Sequence, residues 1–113
     1  MKIAIVGSRL YSDPVAVWQW MERELRPGDV VVSGGAHGPD AWAGNIADLV
    51  LGLETSIHRP DWDRYGHAAG PIRNGQIARE CDALVAFYEG SRGTKNAIEQ
   101  ARKLDKPVTI IRP

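Results

Sequence analysis

The feature that most constrains this chain is a regular alternation between short apolar runs and helical patterns. The apolar runs are rich in Val and Ile and are continuous; they cover residues 3–6, 30–32, 55–57, 83–87 and 108–111. Strands that are buried on both faces of a parallel sheet have this composition. Because a helical pattern separates each strand from the next, the sequence predicts right-handed crossovers and an open, three-layer α/β/α fold with a five-stranded parallel sheet.

Four helices are predicted from capping residues and apolar faces. Asp13 and Pro14 form the cap and first turn of the first helix. The others are predicted over residues 39–51, over 71–80, and from Thr94 onward. The residues predicted to face inward are Val17, Trp18, Met21 and Leu25 in the first helix, Ala43, Ile46, Ala47 and Val50 in the second, and Ala97, Ile98, Ala101 and Leu104 in the fourth.

Composition limits the class of protein. The chain has 113 residues, enough for one domain, and its 14 basic and 14 acidic side chains give a formal net charge of zero. Because non-specific nucleic-acid binding depends on many cations, this balance argues against a nucleic-acid partner, although it leaves room for a local basic pocket. The lone Cys81 and the spacing of His37, His58 and His67 predict neither a metal site nor another cofactor. No apolar run is long enough for a signal peptide or a membrane span, so we expect a cytoplasmic protein without a membrane partner.

Glycine-rich segments follow three of the predicted strands, at residues 7–9, 33–40 and 90–94. Glycine lets the backbone approach a ligand closely, and exposed N–H groups at a helix N-terminus bind anions. The last two segments therefore predict a double phosphate cradle, although any sharp strand-to-helix turn needs glycine as well. If both cradles flank the point where the crossover direction reverses, the strand order is 3-2-1-4-5. Residues 58–70 have no clear period, and a loop of that length is often functional.

With these segments the chain resembles the SLOG superfamily of Rossmann-like nucleotide-binding domains, and within it the small YspA-type proteins. The resemblance rests on residues 7–9, 33–40, 61–74 and 90–94, in the family's order, and runs from the first strand to the last helix. The second segment is also similar to DNA-processing protein A, and residues 73–94 are similar to the Lonely Guy phosphoribohydrolases. The resemblance implies one domain, 1–113, that binds a nucleotide or nucleotide-derived ligand at the carboxyl edge of the sheet.

The residues expected to bind this ligand come from the glycine-rich segments and the resemblance. Trp62 is a candidate either for stacking a base or for anchoring its loop, and the guanidinium of Arg73 suits a phosphate. Asn74 is a candidate either for a hydrogen bond to ribose or phosphate or for a helix cap. The full set is Gly7, Ser8, Arg9, Ser33, Gly34, Gly35, Ala36, Asp40, Trp62, Arg73, Asn74, Gly90, Ser91, Arg92, Gly93 and Thr94.

Hydrolysis of a nucleoside monophosphate is an alternative to binding alone. The resemblance to the phosphoribohydrolases implies that Arg73 is catalytic, but the family's glutamate position is Ala97, and Glu99 lies about 200° round the helix. A glycosidic bond needs a carboxylate for its cleavage. The remaining candidates for that carboxylate are Asp40, Asp61, Asp63 and Glu89.

DNA binding is a second alternative, and self-association is a further expectation. The cationic side chains expected at the ligand edge are Arg9, Arg59, Arg64, Arg73, Arg92 and Lys95. Trp18, Trp20 and Trp42 put more aromatic area on the helices than a core of this size easily absorbs, and Trp20 falls off the inward face of its helix. Together with the resemblance, this predicts a homodimer or a higher homo-oligomer.

Overall fold

The computed structural model describes residues 1–36 and 38–113, and its centre is a five-stranded parallel sheet. The strand order is β3-β2-β1-β4-β5, which confirms the predicted fold class and order. Each strand begins and ends within one residue of its predicted run. The strands are β1 (Lys2–Gly7), β2 (Val30–Ser33), β3 (Glu54–Ile57), β4 (Ala83–Phe87) and β5 (Val108–Ile111).

Helices connect successive strands on both sides of the sheet. The predicted aperiodic loop contains a short helix and a 3-10 turn, Gly66–Ala68, and the next helix begins two residues earlier than predicted. Within the described residues, no helix is long and apolar enough to cross a membrane. The helices are α1 (Pro14–Glu24), α2 (Pro39–Asn45), α3 (Trp62–Tyr65), α4 (Ala69–Glu80) and α5 (Arg92–Lys103).

The sheet has a separate apolar core on each face. Ala4 and Val6 of β1 point to one side, where they pack with buried residues of α4 and α5. Ile5, between them, points to the other side and packs with buried residues of α1 and α2. This alternation follows from the period of two in a strand. Both faces are covered, which explains why the inner strands β1, β2 and β4 consist mainly of apolar residues, whereas the edge strands β3 and β5 also carry Thr or Ser at their middle positions.

The tryptophans of α1 lie opposite to their predicted places. Trp20 packs into the core with its ring edge-on to Phe87, at 6.3 Å between centroids, whereas Trp18 is 42% exposed. Val17 and Met21 are buried on the core face of α1 as predicted, and Trp20 takes the place on that face that was predicted for Trp18. The prediction that Trp20 lies off the inward face is therefore wrong, and its aromatic area belongs to this chain's own core.

A π-helical turn, Ile46–Val50, continues α2 and changes which residues face the core. The N–H of Leu51 donates to the carbonyl oxygen of Ile46 at 2.9 Å, the i→i+5 pattern of a π-helix. Ala47 is buried and Ile46 packs against the core, as predicted, but the wider turn leaves Val50 exposed. The predicted inward position of Val50 is therefore wrong, because the prediction assumed a regular α-helix.

Candidate functional site

A cavity of about 890 Å³ opens at the carboxyl edge of the sheet. Two expected residues do not line it, because Ser33 is turned into the core and Arg92 faces a neighbouring groove. His37 belongs to the second glycine-rich segment and lies outside the described residues. The expected residues that line the cavity are Gly7, Ser8, Arg9, Gly34, Gly35, Ala36, Asp40, Trp62, Arg73, Asn74, Gly90, Ser91, Gly93 and Thr94.

The carboxylate of Asp40 joins the ends of the neighbouring strands β1 and β2. Its Oδ1 accepts a hydrogen bond from the N–H of Gly7 at 2.9 Å, and its Oδ2 accepts one from the N–H of Gly34 at 3.1 Å. The hydroxyl of Ser33 donates to the carbonyl oxygen of Asp40 at 3.0 Å and accepts from the N–H of Gly35 at 3.3 Å. The N–H groups of the Gly34 and Gly35 turn are thus already bonded to side chains of this chain.

Burial dominates the protonation of Asp40. The residue is 5% exposed, and this desolvation raises the pKa of its carboxyl to about 6, against the opposing effect of the two backbone hydrogen bonds and of Arg73. Burial also lowers the pKa of the Arg73 guanidinium, and the nearby Asp40 charge opposes that shift. A carboxyl group and a guanidinium group therefore face the same cavity, and both are partly shielded from bulk water.

Arg73 and Asn74 fix the opposite wall. Arg73 lies in α4 and is half-buried. Its Nη1 donates to the carbonyl oxygen of Gly34 at 3.0 Å and its Nε donates to Oδ1 of Asn74 at 3.0 Å. The amide of Asn74 in turn donates to the carbonyl oxygen of Gly93 at 3.2 Å and to Oδ1 of Asn96 at 3.0 Å. Asn74 therefore positions both the arginine and the start of α5.

Three hydroxyl groups connect β1 to the start of α5. Oγ of Ser8 lies 3.0 Å from Oγ of Ser91 and 3.4 Å from Oγ1 of Thr94, and the last two are 2.8 Å apart. Ser91, not Thr94 as predicted, is the N-cap of α5, and its Oγ accepts from the N–H of Thr94 at 3.3 Å. Thr94 is buried instead, because its hydroxyl completes this cluster.

Several side chains line the cavity that the sequence reasoning left out of the ligand set. Arg59 and Pro60 follow the end of β3, and that position alone points to the carboxyl edge. Leu10 comes directly after the first glycine-rich segment and is exposed at the cavity. Ala97 also lines it, so the position of the phosphoribohydrolase glutamate faces the same space. The described residues contain no group of three His, Cys, Asp or Glu side chains placed to hold a metal.

The fold is shared with a solved structure. No family model matches the chain. DNA processing protein A from Helicobacter pylori, whose structure concerns its single-stranded DNA binding mode, superimposes with a TM-score of 0.78 at 18% sequence identity. The match covers 97% of this chain and 64% of that chain, so this chain spans less than two thirds of the solved protein.

This likeness overturns the sequence argument against a nucleic-acid partner. A protein with the same fold binds single-stranded DNA, so a formal net charge of zero is no ground for calling such a partner unlikely. The physical reason lies in the charge distribution: Arg9, Arg59 and Arg73 gather at one cavity, where local charge acts on a ligand whatever the total over the chain.

A curated relative matches nearly the whole chain. The Gene 61 protein of Mycobacterium phage D29 is 35% identical over 116 residues, which cover 95% of this chain and 93% of that protein. At this identity and coverage, the chain belongs to the same family as the Gene 61 protein of Mycobacterium phage D29.

Proposed function

We propose that this chain is a nucleotide-binding domain of the SLOG superfamily, of the YspA type, and that its ligand is a nucleotide or nucleotide derivative held in the cavity. One observation carries the proposal: glycine-rich turns at the ends of three strands and the half-buried side chain of Arg73 line the same cavity. Its volume of about 890 Å³ lies within the range of small-molecule sites.

The phosphate lies against the first turn of α5 and Arg73. The N–H groups of Arg92 and Gly93 are in that first turn and so have no partner within the helix. A Cβ added to Gly93 would meet no atom within 4 Å, which leaves open space at this point of the cavity wall. Backbone donors at a helix start, the helix dipole and a guanidinium fork together suit a phosphate group.

The turn at Gly34 and Gly35 lets the ligand approach the backbone closely, but it does not offer the ligand free N–H donors. Its N–H groups are bonded to Asp40 and Ser33, so the expected double cradle becomes one donor-rich side and one tight glycine wall. Apolar side chains at the cavity, Leu10 and Trp62, offer a surface for the base.

Single-stranded DNA is the second candidate ligand for the same cavity. The likeness to DNA processing protein A supports it, because that protein binds single-stranded DNA on the same fold. The cations at the cavity edge support it as well, since phosphate contacts supply most of the affinity in such complexes.

Titration calorimetry with nucleoside 5′-monophosphates and the matching nucleosides, in ribose and deoxyribose forms of each base, tests the proposal. The monophosphate should bind about tenfold more tightly or better, because a charge-assisted hydrogen bond contributes roughly 1.5–3 kcal/mol. Arg73→Ala should remove most of that preference, whereas Arg79→Ala, an exposed arginine on the same helix, should leave it intact. Equal affinity for nucleoside and nucleotide in the wild type would refute the phosphate site.

Gly93→Ala provides a steric version of the same test. The added methyl group meets no protein atom, and alanine favours a helix more than glycine does, so stability should not fall. Nucleotide affinity should fall, because the methyl group stands where the phosphate approaches the helix start. Unchanged affinity in this variant would place the phosphate elsewhere.

A further inference from the structure

A second groove, of about 570 Å³, opens beside the cavity and shares a wall with it. Trp62, Arg73, Asn74 and Gly93 line both spaces. The groove lies between α4 and α5, on the far side of that wall from the glycine turn at Gly34. A ligand that fills the cavity therefore lies next to a second space that is large enough for another unit of similar size.

The groove has the charge of a phosphate-binding surface. Arg92 and Lys95 line it, and neither forms a salt bridge with any described residue. Glu99 is the acidic residue on the same wall. With Arg73 in the shared wall, cations outnumber that single carboxylate, and guanidinium and ammonium groups without a protein partner are available to an anion.

Trp62 stands at the boundary between the two spaces. Its side chain is 57% exposed, although its ring lies close to Gly70, where an added Cβ would be 3.6 Å from the indole. Arginine side chains line the spaces on both sides of this ring. Proteins that bind single strands combine the same two features, because bases stack on aromatic rings and phosphates lie along a basic groove.

We infer that this groove is a second nucleotide subsite, and that the ligand is a single strand of at least two phosphodiester-linked nucleotides. The inference rests on the proposed function, because the first nucleotide occupies the cavity. The linking phosphate passes the shared wall at Arg73 and Gly93, and the second nucleotide lies along Arg92 and Lys95. This gives Arg92, which lies outside the first cavity, a role on the same ligand.

The test is the ratio of two affinities, measured by calorimetry on the full chain. Each probe pair is a nucleoside 5′-monophosphate and the 5′-phosphorylated homodinucleotide of the same base and sugar. The dinucleotide should bind at least about tenfold more tightly, since it adds a phosphate contact and a stacked base. Replacing both cations (Arg92→Ala with Lys95→Ala) should remove the phosphate contact and so lower that ratio severalfold.

The matched control removes two cations from the other end of the same helix. Arg102 and Lys103 are exposed and line neither space, so Arg102→Ala with Lys103→Ala should preserve the ratio. A wild-type ratio near one, or a ratio that survives loss of Arg92 and Lys95, overturns the second subsite while mononucleotide binding still stands. An equal advantage for a pyrophosphate-linked dinucleotide overturns the assignment to a strand. Absence of mononucleotide binding overturns the proposed function and this inference with it.

Discussion

The guanidinium of Arg73 is hydrogen-bonded, at 3.0 Å, to the carbonyl oxygen of Gly34, and so α4 is tied to the end of β2. The contact is also tight. A Cβ on Gly34 would lie 2.9 Å from Cζ and 3.0 Å from Cδ of that arginine. Glycine at this position is therefore required by the arginine beside it as well as by the turn.

Gly34→Ala should consequently have the same effect on ligand binding as a substitution of Arg73. The methyl group displaces the guanidinium, so the preference for nucleotide over nucleoside should fall as it does in Arg73→Ala, although the arginine is still present. The lost hydrogen bond should lower the free energy of unfolding by about 1 kcal/mol. Calorimetry and urea denaturation measure both effects.

Gly44→Ala is the matched control for that variant. Its Cβ would sit 3.6 Å from Cδ1 of Ile57, an ordinary contact, and Gly44 does not line the cavity. The nucleotide preference should stay at the wild-type level in this control. Retention of the full preference in Gly34→Ala would show that Arg73 works from another position.

Asp40 predicts a pH dependence of stability. Burial raises the pKa of its carboxyl from 3.8 to about 6, so the folded protein binds this proton more tightly than the unfolded chain does. Its contribution to stability is fully present below about pH 4 and is lost as the pH rises through 6, and the shift corresponds to roughly 3 kcal/mol.

The measurement compares wild type with Asp40→Asn by urea denaturation at several pH values. Asparagine does not titrate, so the difference in unfolding free energy, wild type minus variant, should fall by roughly 2 kcal/mol between pH 4 and pH 7. Other carboxyl groups cancel in this difference. A difference that is constant with pH, or that grows as pH rises, would contradict the raised pKa.

The enzymatic alternative depends on Ala97. Because Ala97 lines the cavity, Ala97→Glu places a carboxylate in the space where the ligand lies. If the site differs from a phosphoribohydrolase by this group alone, the variant should release free base from a nucleoside monophosphate, and the wild type should release less. Chromatography of the products measures the release.

Gln76→Glu, at an exposed position of α4 outside the cavity, adds the same single negative charge and should release no more base than the wild type does. Ala97 is buried, so the glutamate should also lower the free energy of unfolding. Thermal denaturation checks that the variant is folded during the assay. If the folded Ala97→Glu protein released no base, the phosphoribohydrolase activity would not apply to this chain.

The two tryptophans of α1 should differ sharply in their effect on stability. Trp20→Ala removes a side chain that packs on Phe87 and should cost roughly 3 kcal/mol. Trp18→Ala removes an exposed ring and should cost less than about 1 kcal/mol. Urea denaturation of both variants measures the loss of unfolding free energy in each. Equal losses would show that Trp18 also packs in the core.

The strands were predictable because strands that are buried on both faces consist mainly of apolar residues. Their order was predictable because it places the two glycine-rich segments beside the point where the crossover direction reverses. The face of α1 was not, because Trp18 and Trp20 are equally apolar and the choice depends on the space beside Phe87. At the site, glycine and hydroxyl residues were found from their place after strands. The hydrogen-bond partners of those residues were not predictable. The carboxylate of Asp40 and the hydroxyl of Ser33 accept hydrogen bonds from the N–H groups of one turn, and no sequence pattern indicates these pairings.

The π-helical turn at Ile46–Val50 also bears on where this chain can tolerate the loss of a residue. A π-turn holds one residue more than an α-helical path between the same two ends. Deleting one residue there would convert the turn to a regular helix without moving β2 or β3 relative to each other. The segment between these strands is therefore the place where we expect this chain to lose a single residue with the least disturbance to the register of the sheet.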